Sequence, residues 1–267
     1  FPSGSVGREG AMKIATWNVN SVRARQGRLL DWLKTHSPDV MCLQELKCTE
    51  DGFPHGELKQ AGYSAAVYGQ KTYNGVAILA REEPQAVVRG LEDGVEDPQA
   101  RVVSATVNGV RVFSVYAPNG QAVGSPAYQY KLEWYARFRR VLDAGHQPVE
   151  PMVLCGDWNV APEPIDVYDP AAWEGQTLFT VPEREALKHL CAFGLTDSFR
   201  QHHAEQKFSW WDYRMLGFPK NRGVRIDHLF TTAPLAERCR AADIDREARK
   251  GPQPSDHAPV WAEYTWP

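Results

Sequence analysis

The sequence predicts an α/β protein of the α+β kind: two mixed β-sheets packed face to face, with helices covering the outside. Strand-like runs outnumber helical patterns along the 267 residues. Several of those runs alternate apolar and polar residues, as strands with one buried face do. No repeat, low-complexity tract or Gly/Ser linker divides the chain, so one core must take all the strands. A domain of this size buries roughly three quarters of its unfolded surface and needs no covalent staple.

The elements follow in order. Residues 13–19 form the first expected strand. A helix from about 23 to 35 comes next, with Leu29, Trp32 and Leu33 inward. Further strands are expected over 39–45, 63–68, 75–80, 101–107 and 111–117, the last rich in β-branched and aromatic residues. Ser125-Pro126 supplies an N-cap and a first-turn proline for a helix in which Leu132, Tyr135, Phe138 and Leu142 share one face. A short strand over 152–155 precedes another helix. Thr180, Pro182 and Glu183 start that helix, Leu187, Leu190 and Cys191 face inward, and Gly194 stops it. Strands over 225–231 and 259–264 complete the set. Met12 opens the first strand-like run, so residues 12–267 are expected to be one domain and residues 1–11 a loose tail or cloning remnant.

Hydrophobic residues make up 43% of the chain and charged residues 24%, ordinary values for a globular protein. No apolar run approaches the roughly 18 residues of a membrane span, and residues 1–11 lack the apolar stretch of a secretory signal. The five cysteines (Cys42, Cys48, Cys155, Cys191 and Cys239) are odd in number, scattered, and form no C-x-x-C pair. That pattern argues against a disulfide framework and a zinc site, and for a reducing, cytoplasmic location. The net charge of −3 disfavours a polyanion partner over the chain as a whole. Locally the balance reverses: Lys207, Arg214, Lys220, Arg222 and Arg225 face only Asp212, and Arg23, Arg25 and Arg28 cluster near the N-terminus.

Polar residues sit where hydrophobic strands end. Asn18 and Asn20 close the first strand, Glu45 follows Val40-Met41-Cys42-Leu43-Gln44, and Tyr116 ends another. Asp157 and Asn159 follow Met152-Val153-Leu154-Cys155-Gly156, Asp227 lies within an apolar run, and Asp256-His257 precede Ala258-Pro259-Val260. Singly, each has a bland explanation as a turn, a cap or a satisfied core histidine. Their convergence on strand ends is harder to attribute to turn chemistry, because such positions are costly to make polar without a ligand. Oxygen donors without thiolates suit Mg²⁺, with Mn²⁺ as a substitute. Such an ion beside a phosphate neutralises developing charge. Asp157 is then a candidate base, provided its surroundings raise it from the ordinary value of about 3.9. His257 is a candidate phosphate contact whose tautomer Asp227 would fix. The pattern reads as metal-assisted hydrolysis of a phosphate ester. No G-x-S-x-G elbow, P-loop or dinucleotide fingerprint offers a rival chemistry. His202-His203 read as exposed rather than metal-binding.

The blocks Thr16-Trp17-Asn18-Val19-Asn20, Leu43-Gln44-Glu45, Gly156-Asp157-Trp158-Asn159, Arg225-Ile226-Asp227-His228 and Ser255-Asp256-His257-Ala258-Pro259 resemble the exonuclease III family. That family lies within the endonuclease/exonuclease/phosphatase superfamily. Pro182-Glu183-Arg184-Glu185, the Phe208–Arg214 stretch and Asn221-Arg222-Gly223 are similar to its bacterial branch. The resemblance implies a DNase I-like four-layer α/β sandwich. It implies a DNA-repair phosphodiesterase that cleaves duplex DNA 5′ to abasic sites and processes 3′ ends. It also implies metal binding by Glu45 with Asn18 and Asn20 nearby, and a second or alternate position at Asp256. Asp157 and Asn159 would position or activate water, Tyr116 would touch the phosphate, and His257 would pair with Asp227. Trp210, Val224 and Ile226 would form an apolar pocket for a base-less sugar, with Asn119, Arg214 and Arg225 as further substrate contacts.

Two departures stand out: Leu46 where a threonine is common, and Val224 where some relatives carry tryptophan. Two other readings compete. One is the same chemistry on a lipid or inositol phosphate, which the basic, aromatic stretch 208–225 disfavours. The other is a catalytically silent DNA-binding module, which the complete acidic set disfavours. Neither an obligate protein partner nor a membrane is expected, and a monomer is.

Overall fold

The structure, a computed structural model, describes residues 10–267. The expected tail therefore falls mostly outside the described residues. Ala11 already belongs to the first strand, paired with Thr265.

In chain order the early elements are β1 (Ala11–Asn18), α1 (Gln26–His36), β2 (Val40–Gln44), α2 (His55–Gln60), β3 (Ser64–Tyr68), β4 (Val76–Ala80), β5 (Gln85–Arg89), β6 (Val102–Val107) and β7 (Val110–Tyr116). Then come α3 (Pro126–Gly145), β8 (Met152–Asp157), α4 (Pro170–Trp173), α5 (Val181–Cys191), β9 (Thr196–Asp197) and α6 (Ser198–His202). The chain closes with β10 (Trp210–Trp211), β11 (Gly223–Val224), β12 (Asp227–Thr231), α7 (Ala233–Ala236), β13 (Cys239–Ile244) and β14 (Val260–Thr265).

Two six-stranded mixed sheets result. One runs β13-β14-β1-β2-β4-β3 and the other β5-β6-β7-β8-β12-β9, with β10 and β11 as a separate ribbon. Side-chain alternation sorts the core into layers. Met12, Ile14, Val40, Cys42 and Ile78 of the first sheet meet Val103, Val112, Val153 and Cys155 of the second. The opposite faces bury Trp17, Met41 and Leu43 under Leu29, Trp32 and Leu33 of α1, and Phe113 and Leu154 under Trp134 and Phe138 of α3 and Leu187 and Leu190 of α5. The architecture is the expected four-layer sandwich.

Each sheet contains one parallel pair, β1–β2 and β7–β8. A parallel pair needs a crossover, and α1 and α3 supply them. Both pairs therefore end on the same side as their partner strand within each sheet. The second pair requires Gly156, because a Cβ there would lie 1.8 Å from the carbonyl oxygen of Val115 on β7.

Two helix starts show local chemistry. Ser125 caps α3 by accepting from the Tyr128 N–H, and Thr180 and Glu183 form a reciprocal capping box on α5. Helix α1 begins later than expected. Asn20 and Ser21 take positive φ (45° and 81°), and the Ser21 and Val22 amides donate to Glu45 and Leu46, so the chain is committed to the β2 end before it can coil.

Candidate active site

The carboxyl ends of the two parallel pairs meet across the sheet interface. Asn18 ends β1, Glu45 follows β2, Tyr116 ends β7 and Asp157 ends β8. The amino ends of two antiparallel strands join them: Asp227 opens β12 opposite Asp157, and His257 precedes β14.

Asn18 is the bridge. Its Nδ2 donates to Oε1 of Glu45 at 2.8 Å and to Oδ2 of Asp157 at 2.9 Å, joining the sheets. Glu45 holds φ of +52°, a left-handed conformation that costs a non-glycine residue about 1–2 kcal/mol. The Ser21 N–H to its carbonyl at 2.8 Å, and the bond from Leu46 to Gly75, hold it there. Leu46 is buried and packs on Gly75, where a Cβ would lie 2.9 Å from its own Cβ; this departure from the family pattern serves packing beneath the site.

His257 lies between two acids. Its Nδ1 is 2.8 Å from Oδ2 of Asp227 and its Nε2 is 3.5 Å from Oδ2 of Asp157, all three side chains being buried. Burial alone would lower the imidazole pKa, but Asp227 and Asp157 outweigh it and raise it well above the usual 6.5. Burial raises Asp157 to about 7. Neighbouring Asp227 and Glu45 push the same way, and His257 and Asn18 oppose them. Burial, with Glu45 and Asp157 nearby, drives the Tyr116 phenol well above 10 against the pull of Arg101. Asn159, also left-handed at φ +50°, donates from its backbone to Oδ1 of Asp157 and from Nδ2 to the Ala117 carbonyl.

Donor atoms of Glu45, Asp157 and His257 all lie within 4.8 Å of one another, and among the described residues they form a group able to hold a metal ion. The buried Oδ1 of Asp227 has no hydrogen-bond partner, and burial raises Asp157 above its ordinary value despite His257 beside it. With His257 kept cationic by its two acids, the carboxylates of Glu45 and Asp157 are the members of this group that a hard divalent cation fits.

The remaining expected site residues divide. Asp256 stands apart from the three-residue group, accepting from Trp210 Nε1 at 3.1 Å and from Asn20 Nδ2 at 3.4 Å. The side-chain oxygen of Asn20 accepts from Lys47 Nζ at 2.7 Å. Asn119 is exposed, and Arg214 projects from the β10–β11 connection with its guanidinium on Asp212.

One substrate contact, Arg225, needs correction. Arg225 is 1% exposed, and in the link between β11 and β12 its side chain turns into the protein to bond Asp166, Asp197 and His228. Val224 and Ile226 are buried in one apolar cluster with Leu178 and Phe179, against which half-buried Trp173 and Trp210 pack. Trp211 is core, packed edge-on against Phe218.

Supporting residues escaped sequence reasoning. Trp17 Nε1 donates to the His257 carbonyl at 3.1 Å, and Ser255 Oγ donates to the Asn18 carbonyl at 2.6 Å. Ser209 Oγ accepts from the Ile226 and Asp227 amides, both at 3.0 Å. All three stand inside the motif blocks, where they look like filler between acids. His202 and His203 bond the carbonyls of Cys239 and Ala242 on the edge strand β13, a structural use.

Comparison with known proteins decides the family. The model of the Endonuclease/Exonuclease/phosphatase family matches residues 15–257, which include every residue of the cluster just described. The chain belongs to this family. As a member, it is 36% identical over 266 residues to exodeoxyribonuclease III of Haemophilus influenzae, an alignment covering 95% of this chain and all of the relative. It is 34% identical to the DNA repair nuclease APEX1 of Danio rerio, covering 95% of this chain and 82% of that one. Among solved structures, the 3′ phosphatase NExo from Neisseria, bound to a product DNA hairpin, superposes with a TM-score of 0.92 at 42% identity, covering 96% of this chain and 100% of that one. An AP endonuclease from Archaeoglobus fulgidus superposes at 0.91 with 38% identity, covering 95% and 99%.

Proposed function

We propose that this family member is a magnesium-dependent DNA-repair nuclease that incises duplex DNA 5′ to abasic sites and processes 3′ ends. The observation that carries this is the meeting of Glu45, Asp157 and His257 within 4.8 Å at the joined strand ends. Likeness to exodeoxyribonuclease III and to the DNA-bound 3′ phosphatase supports DNA over a lipid or inositol phosphate. The complete acidic set supports catalysis over silent binding.

Glu45, with Asn18 orienting it, would hold the ion, and magnesium accepts one or two protein carboxylates while keeping room for phosphate. Bound there, the ion supplies charge that neutralises the phosphate oxygens. Asp157 takes the proton from the attacking water, for which a pKa of about 7 is well matched to neutral pH. His257, held cationic by its two acids, donates to a phosphate oxygen, and Asp227 fixes its ring. Tyr116 stays protonated and donates from the end of β7. Tyr213, Met215 and Leu216, in the connection between β10 and β11, are exposed apolar side chains suited to bases or sugar rather than phosphate.

The five cysteines are free, which supports a reducing, cytoplasmic setting. No helix among the described residues is long and apolar enough to cross a membrane. Incubating the protein with abasic and 3′-phosphorylated duplexes, with Mg²⁺ or with excess chelator, tests the function. Product that persists in chelator contradicts the metal assignment.

A further inference from the structure

One buried charge has no part in the chemistry above. Lys131, on α3, and Glu183, the third residue of α5, are both fully inaccessible to solvent and form an ion pair. Isolated buried charges are costly, and an apolar contact would join two helices more cheaply. Capping does not call for a lysine either: Glu183 accepts from Thr180 and Leu178 amides without it, and a neutral glutamine can close the same box.

The other two protons of the ammonium show what it serves. Nζ donates to the carbonyl of Asn119 at 3.0 Å and to that of Asn159 at 2.7 Å. These belong to the loops that leave β7 and β8, directly after Tyr116 and Asp157. With Glu183 as third acceptor, every donor of the ammonium is used. The two loops cross-brace around Asp157: the Ala117 N–H donates to the Asp157 carbonyl at 2.8 Å, and Asn159 Nδ2 donates back to the Ala117 carbonyl at 2.8 Å. Gly120 lies on the lysine stem. Its φ is +92°, and a Cβ there would approach Cδ of Lys131 to 3.0 Å.

Resting on the nuclease reading, we propose that Lys131 is a positioning residue for the reaction, anchoring the loops after β7 and β8 by their inward carbonyls so that Asp157 and Asn159 keep their places. Glu183 supplies the counter-charge and the α5 cap. Small displacements of groups that orient an attacking water lower turnover more than affinity. Losing Lys131 therefore acts on kcat first.

The test measures kcat, KM and melting temperature on a 3′-phosphorylated duplex with Mg²⁺ for wild type, Lys131→Met, Glu183→Gln and the double variant. Lys131→Met leaves a lone buried carboxylate and is expected to lose both stability and turnover. The double variant removes both charges and is expected to regain the melting temperature, while kcat stays at least about tenfold down and KM moves within about threefold. Glu183→Gln keeps the bonds to both carbonyls and is expected to keep kcat within about threefold. Recovery of kcat together with stability in the double variant overturns the proposal. So does a tenfold loss in Glu183→Gln at unchanged melting temperature, and this single variant still decides the matter if those lacking Lys131 do not fold. Inactive wild type would instead contradict the nuclease reading.

Discussion

His257 and Asp227 are joined at 2.8 Å between Nδ1 and Oδ2, and neither side chain is open to solvent. The acid keeps the imidazole cationic and aims Nε2 at the space shared with Asp157. Replacing Asp227 with Asn preserves shape and removes the charge. It is expected to lower kcat by about 10²-fold, the range of a lost acid–base contribution. It should also drop the His257 pKa, which NMR titration of the ring reads directly.

Glu45→Gln removes the acid best placed to hold the ion. Lys47, 3.7 Å away, then has no acidic partner there. Turnover is expected to fall by about 10³-fold, of the size seen when one charge-stabilising group is lost. The wild type is expected to melt at a higher temperature in Mg²⁺ than in chelator, and the variant to show no such shift.

Trp17→Phe keeps most of the packing under α1 and deletes the indole bond to the His257 carbonyl. A bond of this kind contributes about 1 kcal/mol. The expected result is a loss in kcat of roughly fivefold to tenfold with a small change in melting temperature. Steady-state kinetics beside a thermal melt checks both.

His228 gives a stability prediction. It is fully buried, its Nδ1 faces Arg225 at 3.1 Å and its Nε2 faces the Val160 carbonyl at 2.9 Å. Burial, with Arg225, lowers its pKa to about 4. Below pH 6.5 the unfolded chain takes up a proton that the folded one refuses. The stabilisation is thus complete above pH 6.5 and is lost as pH falls toward 4, by about 3 kcal/mol. Asp157, raised to about 7, contributes with the opposite sign. The readout is therefore the difference between wild type and His228→Gln: urea denaturation at pH 7 and pH 5 should show the variant losing less stability on acidification.

Much of this was legible in the sequence because strand ends are local. Glu45, Asp157 and His257 each stand beside an apolar run that fixes where the backbone goes, and the motif blocks carried their roles. Strands β5 and β13 were missed because they are sheet edges interrupted by bulges. Exposed Gln85 and Ala86, and the alanines of β13, break the alternation. Arg225 read as a substrate contact because charge in sequence looks like surface. Only the fold reveals Asp166 and Asp197, 59 and 28 residues away, as its partners. Lys131 left no trace either, since its acceptors are backbone carbonyls, which every residue carries.

The most direct measurement compares duplexes carrying an abasic site, a 3′-phosphate or neither on a denaturing gel, with Mg²⁺ or excess chelator, for wild type and Glu45→Gln. Wild type with Mg²⁺ should nick 5′ to the abasic site and remove the 3′-phosphate, while chelator and Glu45→Gln should each abolish both products. Undiminished cleavage by Glu45→Gln, or by wild type in chelator, would contradict a metal-assisted centre built on these strand ends.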